Sequence, residues 1–502
     1  MRVLILLPIF LPILAGACML VSSFRSHLAL KNGETMSEDL QQIHSFTLTA
    51  LLISAAAALL AAWSGGGKNA VLFYLMKDTP IYFAVDEVSA LFVTFVSIIW
   101  ICVAVYAFVY MKHEGEEKRF FGFFLMVYGV LIALDFSGNL ITLYFFYELM
   151  TLVSMPLVLH NGSKEAIMGA LKYLFYSMCG AYLALFGIFF LYQNTNTLAF
   201  VPGGSVNLKP GQEGILLIAV FSLLIGFGAK AGMFPLHAWL PTAHPVAPSP
   251  ASAVLSAVIV KSGVLAIFRT VYYVVGADFL QGTWVQTAWM VLTLITVFMG
   301  SLLAFREPVF KKRLAYSTVS QVSYILFGLS LLSPVGVAGA LLHTVFHAFI
   351  KCALFLTAGI FLYQTGNTRA EDYVGYGKKM PKTFWCYTFA SLALIGIPPA
   401  SGFISKWYLV QGALSADVGA FRYVGPAILL VSALLTAGYL LPVTMKGFFP
   451  GKDFVLTDET VQEPPAMMWI PLMILAALSL IFGIVPGPLT ELVSRIGELV
   501  MW

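Results

Sequence analysis

The chain has 502 residues, of which 60% are hydrophobic and only 10% are charged, and its formal net charge is +4. Its mean hydropathy of +0.89 lies far above that of a water-soluble domain of any size. This composition excludes a soluble enzyme and a basic nucleic-acid-binding protein, and it predicts a polytopic protein embedded in a lipid bilayer.

Hydrophobic runs separated by polar loops predict about fourteen membrane-spanning helices, because a helix needs about 20 apolar residues to cross a bilayer. In chain order they cover residues 3–22, 43–63, 88–110, 120–134, 139–159, 167–191, 214–240, 249–275, 283–305, 314–332, 335–363, 384–411, 426–446 and 466–484. The predicted fold class is therefore an all-α polytopic membrane protein.

The first apolar run resembles a secretory signal peptide, since it follows Arg2 and contains the small residues Ala15, Gly16 and Ala17. Because many further spans follow, we interpret it as a first membrane helix, with cleavage as the alternative.

Lysine and arginine are distributed unevenly over the predicted loops. If the N-terminus lies outside, the cytoplasmic loops hold Arg25, Lys31, Lys112, Lys118, Arg119, Lys164, Arg306, Lys311, Lys312, Arg313, Arg369, Lys378, Lys379, Lys382 and Lys452. The outer loops and both ends then hold only Arg2, Lys68, Lys77, Lys209, Arg422 and Arg495. Since cytoplasmic loops are enriched in basic residues, this asymmetry predicts that both termini lie outside, although Arg2 alone points the other way.

No redox or metal motif is evident in the sequence. The five cysteines fall singly within apolar runs and form no Cys-x-x-Cys pair; they are Cys18, Cys102, Cys179, Cys352 and Cys386. A glycine-rich phosphate loop is also missing. We therefore expect no bound cofactor and no metal, and we expect any nucleotide hydrolysis or electron transfer to occur in other chains.

Glu148, Lys230, Lys261 and Lys406 lie deep inside the apolar runs. An ionisable group at membrane depth costs roughly 2.5 to 3.5 kcal/mol on insertion scales, so it usually persists only where ions or protons move. Glu148 is about nine residues into its span, which places it ~14 Å from the end of the helix. The alternative for Glu148 is a structural ion pair with Lys172.

Two of the runs contain glycine and proline residues that should interrupt the helix. Gly226, Gly228, Gly232 and Pro235 surround Lys230, and Pro398, Pro399 and Gly402 precede Lys406. Broken helices at membrane depth are tolerated where they line protein or water, as in transport sites. Because five spans separate the two interruptions, we predict two inverted five-helix repeats over residues 120–275 and 283–446, flanked by segments 1–119 and 447–502.

His343, His347 and Lys351 follow one another at spacings of four residues and so share one helical face. A metal pair would need a third ligand, and none is evident. Imidazole changes its charge near neutral pH, which favours a pair of proton-relaying histidines.

The deep basic groups outnumber the single deep acid Glu148; they are Lys172, Lys230, Lys261, Lys351 and Lys406. They cannot all be charged and paired within this chain, and burial favours neutral lysine. We hypothesise that some of these lysines switch their protonation state as proton carriers, or that a neighbouring subunit supplies carboxylates.

Four further polar residues lie towards the ends of spans. His237 and His244 lie at the cytoplasmic end of the first broken span, where they could take up protons from water or simply cap a helix. Arg269 and Asp135 are interpreted as side chains that snorkel to the membrane surface.

The stretch from Lys230 to His244, KAGMFPLHAWLPTAH, and the segment APSPASA at 247–253 closely resemble the signature of a known family. This family comprises the antiporter-like subunits of respiratory complex I, Mrp-type Na⁺/H⁺ antiporters and membrane-bound hydrogenases. The resemblance continues through Tyr147-Glu148, Lys172-Tyr173, His343 to Lys351, and Gly402 to Lys406. It covers nearly the whole chain.

The resemblance implies a fourteen-helix fold with two inverted five-helix repeats and a row of charged residues along the membrane midplane. It also implies that Glu148 pairs with Lys230 and that Lys261, His347 and Lys406 continue the relay. Lys261-Ser262-Gly263 and Lys406 look most similar to the D subunit of Mrp antiporters and to its hydrogenase relatives. Ser256, where some members have histidine, and Cys179-Gly180, where one has an acid, depart from the family pattern.

We therefore predict a non-redox, proton-translocating subunit of a multisubunit complex in a prokaryotic cell membrane. Its partners would be other membrane subunits, with protons and, in an antiporter, Na⁺ as the ions moved. The complex could be an NADH:quinone oxidoreductase, a hydrogenase or an antiporter. A stand-alone secondary transporter of a small solute is the main alternative, and a quinone-reducing subunit is a weaker one because no redox-centre ligands are evident.

Overall fold

A computed structural model describes residues 2–31, 40–64, 69–76, 79–451 and 461–501. Lys68, Lys77 and Lys452, which contribute to the predicted orientation, and the side chain of Lys31 lie outside the described residues. The described part is dominated by helices, which confirms the all-α, multi-pass fold class.

The described helices, in chain order, are α1 (Arg2–Lys31), α2 (Leu40–Trp63), α3 (Glu87–Glu114), α4 (Glu117–Asp135), α5 (Leu140–Val158), α6 (Lys164–Asn194), α7 (Glu213–Ala231), α8 (Leu240–Val246), α9 (Ser249–Val275), α10 (Ala277–Leu280), α11 (Trp284–Arg306), α12 (Phe310–Ser330), α13 (Pro334–Thr365), α14 (Pro381–Ile395), α15 (Ser401–Ser415), α16 (Phe421–Phe448), α17 (Ala466–Ile484) and α18 (Gly487–Leu499). Short 3₁₀ turns occur at Ala370–Asp372 and Tyr376–Lys378. An antiparallel hairpin of β1 (Asn69–Met76) and β2 (Thr79–Ala84), which the hydropathy pattern does not predict, precedes α3.

Several helices begin at a polar N-cap side chain that accepts a hydrogen bond from the backbone N–H three residues later. These N-caps are Asp86, Asn139, Ser163, Thr283 and Ser333. Such caps satisfy backbone donors that the first turn of a helix leaves free. The start points of α3, α5, α6, α11 and α13 are therefore encoded locally.

Within the described residues, eleven helices are long and apolar enough to cross a membrane: α1 over Arg2–Ser26, α2, α3, α5, α6, α7, α9, α11, α13, α16 and α17. Helices α4 and α12 coincide with two further predicted spans but are less apolar. Helices α14 and α15, of 15 residues each, together occupy the predicted span 384–411. The count of fourteen spans and the inverted repeats therefore remain predictions.

Both glycine- and proline-rich stretches interrupt their helices, as the sequence predicts. Helix α7 ends at Ala231, and Gly232 follows with a φ of 76°; helix α14 ends at Ile395, and Gly396 follows with a φ of 94°. Positive φ is readily adopted by glycine, because it has no Cβ to clash. Each broken span is therefore two helices joined by a non-helical segment.

Helices α9 and α13 form the centre of the molecule, since every residue of α9 and every residue of α13 from Gly336 to Phe361 is buried. Helix α13 packs against α3, α9, α12, α14, α15, α17 and α18. Helix α9 contains two π-helical segments, Leu255–Ile259 and Thr270–Val275. The predicted relay residues on α9 and α13 are thus shielded from lipid on every side.

The interpretation of Arg269 and Asp135 as snorkelling side chains is wrong. Arg269 is only 2% exposed, and its guanidinium forms a bidentate pair with Asp86 at 2.5 and 2.6 Å. Its charge also lies over the rings of Phe200 and Tyr273. Asp135 is likewise buried. Burial alone would raise the pKa of Asp86, but the nearby Arg269 guanidinium lowers it below its usual value.

Candidate functional site

Lys230 lies in the last turn of α7, directly before the first helix break, and is fully buried. Its Nζ donates to the Tyr147 carbonyl oxygen and to Thr151 Oγ1, both at 2.7 Å. It also lies 3.9 Å from the centroid of the Tyr147 ring. Helix α5 therefore holds this ammonium with neutral acceptors and an aromatic face rather than with a carboxylate.

Glu148 follows Tyr147 on α5 and is only partly buried. Its Oε1 atom is buried and has no hydrogen-bond partner among the described residues. None of the ion pairs formed by those residues joins Glu148 to Lys230 or to Lys172, although Glu148 is near enough to Lys230 to interact electrostatically. Lys172 instead donates to Thr242 Oγ1 at 3.1 Å. The implied Glu148–Lys230 pair is therefore not a direct contact in this arrangement.

Lys261 lies in the middle of α9 and is 1% exposed. Its Nζ donates to the Ser256 carbonyl oxygen at 2.8 Å and lies 2.7 Å from Nδ1 of His347. The Ser256 carbonyl belongs to the first π-helical segment, where the Val260 N–H reaches back to Leu255. Such π-helical turns are frequent at functional sites. The lysine and the histidine thus form a direct link between α9 and α13.

His347 and His343 stack on the same face of α13, with ring centroids 5.8 Å apart. His343 Nδ1 forms a hydrogen bond of 2.9 Å with Ser405 Oγ on α15. Both Nε2 atoms are buried and have no partner among the described residues. The two histidines on this face of α13 therefore link Lys261 on α9 to Ser405 on α15.

Lys406 lies in the first half of α15, beside the second helix break. Its Nζ donates to the carbonyl oxygens of Leu394 and Ile395 at 2.6 and 2.8 Å. These are the last carbonyls of α14, where the helix dipole favours a positive charge. A Cβ at Gly396 would come within 3.0 Å of the Lys406 side chain, so glycine also leaves room for it.

The ring of Tyr324 on α12 lies close to both His343 and Lys406. Its ring lies 5.5 Å from the His343 ring, and Lys406 Nζ lies 5.3 Å from its centroid. Sequence reasoning missed Tyr324, Ser405 and Thr151, because none of them carries a charge. For Tyr324 the detectable signal was the density of hydroxyl residues on α12, which is unusual for an apolar span.

The remaining predicted residues lie outside the group formed by Lys261, His347 and His343. Lys351 is fully buried and donates to the Leu314 carbonyl oxygen at 3.1 Å. His244 is fully buried, stacks on Phe355 at 4.7 Å, and has no hydrogen-bond partner for either ring nitrogen among the described residues. His244 is therefore not a surface cap, whereas His237 is partly buried.

The structure brings Lys261, His347 and His343 into one connected group that ends at Ser405 beside Lys406. It does not connect that group to Lys230, since no hydrogen bond of the described residues joins Lys230 to Lys261. In the described part of the chain, no cluster of three or more His, Cys, Asp or Glu side chains could hold a metal ion. The arrangement can donate, accept and pass protons.

Residues 137–436 match the sequence profile described as NADH:quinone oxidoreductase/Mrp antiporter, TM, and residues 77–121 match that of the NADH-ubiquinone oxidoreductase (complex I) chain 5 N-terminus. The chain is 33% identical over 414 residues to NADH-quinone oxidoreductase subunit N of Desulforudis audaxviator, which covers 80% of this chain and 81% of that one. It is 33% identical over 423 residues to hydrogenase-4 component B of Escherichia coli, which covers 80% of this chain and 62% of that one. With the D subunit of the Na⁺/H⁺ antiporter of Alkalihalophilus pseudofirmus it shares 26% identity over 100% of this chain and 98% of that one.

The fold is similar to chains of large membrane complexes. One belongs to the membrane-bound sulfane sulfur reductase, an archaeal respiratory membrane complex, with a TM-score of 0.83, 23% identity, and coverage of 100% of this chain and 98% of that chain. Another belongs to the Mrp complex of Dietzia sp. DQ12-45-1b, with a TM-score of 0.79, 22% identity, and coverage of 100% and 97%.

Proposed function

Because the chain belongs to the NADH:quinone oxidoreductase/Mrp antiporter family, we propose that it is a proton-translocating membrane subunit of a multisubunit complex. The observation that carries this proposal is the buried series Lys261–His347–His343–Ser405, whose end lies beside Lys406. Such groups are costly inside a membrane and are usually kept for proton or ion movement. Partner chains would supply the driving reaction or a sodium gradient.

A proton would pass from Lys261 Nζ to Nδ1 of His347, since these atoms already share a hydrogen bond of 2.7 Å. His347 would then release the proton on its Nε2 towards His343. The two rings stack without a direct hydrogen bond, so bridging water is needed at that step. From His343, Ser405 leads to the second broken helix, where Lys406 completes the relay.

Lys230, in the first of the two proposed repeats, would switch between holding and releasing a proton. Direct contact with the Glu148 carboxylate would favour the charged lysine, whereas at the Tyr147 carbonyl and Thr151 no carboxylate contacts Nζ directly. Movement of Nζ from the carboxylate to these neutral acceptors would therefore promote release of a proton towards Lys261. In this proposal, the described arrangement is the releasing state. His237, His244, Lys172 and Lys351 would have secondary or structural roles.

The domain organisation is proposed as 1–119, 120–275, 283–446 and 447–502, with the two central segments as inverted repeats. Support comes from matching positions in each: Lys230 lies over Tyr147 of α5, and Lys406 lies over Tyr324 of α12. In the proposed repeats, α5 and α12 are both the second helix. Fourteen spans, both termini outside, and a prokaryotic cell membrane complete the proposal.

The proposal is tested by proton transport in membrane vesicles that contain the whole complex. Glu148→Ala and Lys230→Ala should each abolish formation of a pH gradient while the subunits still copurify. Lys446→Ala is the matched control, because Lys446 is an exposed lysine in the last turn of α16. Retained pumping in either relay variant would reject the mechanism. Solute transport by the chain expressed without partner subunits would favour a stand-alone transporter instead.

A further inference from the structure

A groove on the outer surface of the helix bundle lies between α14 and α17, and it contains none of the relay residues. Its volume is about 520 Å³. On α14 it is lined by Lys382, Trp385, Cys386 and Phe389, whose spacings of three and four residues place them on one helical face. Lys382 is the only charged residue in the described lining, so the groove is apolar apart from one end.

Helix α17 forms the opposite wall of the groove. Its residues Trp469, Met473, Ala477 and Leu480 also recur at spacings of three and four and share one face. Trp385 and Met473 stand at the rim, since they are 52% and 46% exposed. Ala477 has a small side chain that leaves space between the two helices. The groove is therefore open on the surface that faces the bilayer.

The Lys382 end of the groove combines positive charge with aromatic rings. Lys382 Nζ lies 4.3 Å from the centroid of the Trp469 ring, and the exposed residues Lys378 and Lys379 precede Lys382 by four and three positions. Glu463 interacts electrostatically with Lys382, and its Oε1 atom accepts a hydrogen bond of 3.1 Å from a backbone N–H in the first turn of α14. The three lysines outnumber this carboxylate, so the four side chains together carry a net positive charge.

The length of the groove matches one leaflet of a bilayer. Eleven residues separate Trp469 from Leu480, which corresponds to ~16 Å along α17. The hydrocarbon core of a bilayer is about 30 Å thick, so one leaflet contributes about half of that. Tryptophan is enriched at the membrane–water interface, which places Trp469 at the level of the headgroups and Leu480 near the bilayer midplane. An acyl chain of one leaflet therefore fits along the groove.

We propose that the groove binds an anionic phospholipid, with its phosphate at Lys382 and one acyl chain between α14 and α17. Basic pockets between membrane helices bind anionic headgroups, and a zwitterionic headgroup would bring a positive charge of its own to the lysines. The site goes beyond the proposed function, but it adjoins the relay. Helix α14 ends at the carbonyls of Leu394 and Ile395, which hold Lys406, so the lipid packs along the helix that positions this lysine.

The site is tested with phosphatidylglycerol that carries a photoactivatable diazirine in one acyl chain, added to the intact complex in phosphatidylcholine vesicles. Labelled peptides identified by mass spectrometry should come from α14 and α17, and the matched diazirine phosphatidylcholine should label them more weakly. Lys382→Ala should reduce labelling by phosphatidylglycerol about fivefold, because one lysine near an anionic surface contributes about 1 kcal/mol. Ala477→Trp should fill the groove and abolish labelling by both lipids.

Two matched controls should label like the wild type. Lys164→Ala removes an exposed lysine at the start of α6, and Leu434→Trp adds a bulky ring at a position of α16 that is also exposed. Loss of labelling in either control would overturn the assignment to this groove.

Equal labelling by the two lipids, or unchanged labelling by phosphatidylglycerol in Lys382→Ala, would overturn the proposal. No label on α14 and α17 of the wild-type complex would also overturn it, and this result is expected if a partner subunit covers the groove. If Ala477→Trp fails to assemble, the comparison of the two lipids and Lys382→Ala still decide. Labelling is measured without transport, so failure of the proposed proton translocation is distinguishable from failure of this site.

Discussion

Lys261→Met separates a transport role of the central lysine from a structural one. Methionine has a similar length and no charge, and it removes the contacts of Nζ to the Ser256 carbonyl and to His347. Two hydrogen bonds at about 0.5–1.5 kcal/mol each predict a loss of roughly 1–3 kcal/mol in the free energy of unfolding. Against this, Lys261 is fully buried without an ionised partner among the described residues, and desolvation of such a group costs several kcal/mol.

The two contributions oppose each other, so we expect the unfolding temperature of the complex to remain nearly unchanged or to rise. Proton transport should nevertheless fall at least about 100-fold, because the group that donates to His347 is gone. The assay is dye-detected pH-gradient formation in vesicles, with assembly and thermal unfolding measured on the same preparation. Lys446→Met is the control. Transport within a few-fold of wild type, or a loss of transport that follows a loss of assembly, would refute the reasoning.

Four further predictions concern stability, each measured by thermal unfolding of the purified complex. Asp86→Ala should cost about 3 kcal/mol, at the lower end for a broken buried pair because the Asp86 side chain is 39% exposed; an unchanged midpoint would contradict this. The pKa of Asp86 is lowered in the folded state, so its contribution to the free energy of unfolding should be complete above about pH 3.9 and should be lost as the pH falls below that value. Asp86→Asn should remove this pH dependence. Burial and Arg119 lower the pKa of His160, so stability should decrease as the pH falls below about 6.5, and equal stability of His160→Gln and wild type across that range would argue against it. Gly396→Ala should cost about 1–2 kcal/mol, because its φ is 94° and the new Cβ approaches Lys406, and it should reduce transport as well.

The relation between sequence and site differs from residue to residue. Lys230 and Lys406 were recognisable because a charge beside glycine and proline in an apolar run is a local pattern, and both helices do break there. Tyr324 and Ser405 were not recognisable, because hydroxyl side chains are common in membrane helices and only their contacts distinguish them. Arg269 was misinterpreted because its partner Asp86 lies 183 residues away in the chain.

The sequence by itself determined the membrane-embedded class, the two helix breaks and the identity of the deep charges. The membrane-embedded class follows from hydropathy. The helix breaks follow from the positive φ that glycine can adopt and from the backbone N–H that proline lacks, and all of these act within a few residues. Only the tertiary structure decided which acceptors hold each lysine: Thr151 and the Tyr147 carbonyl for Lys230, His347 for Lys261, and the end of α14 for Lys406. The physical reason is that a buried ammonium takes its hydrogen-bond partners largely from neighbouring helices, and helix packing sets those neighbours.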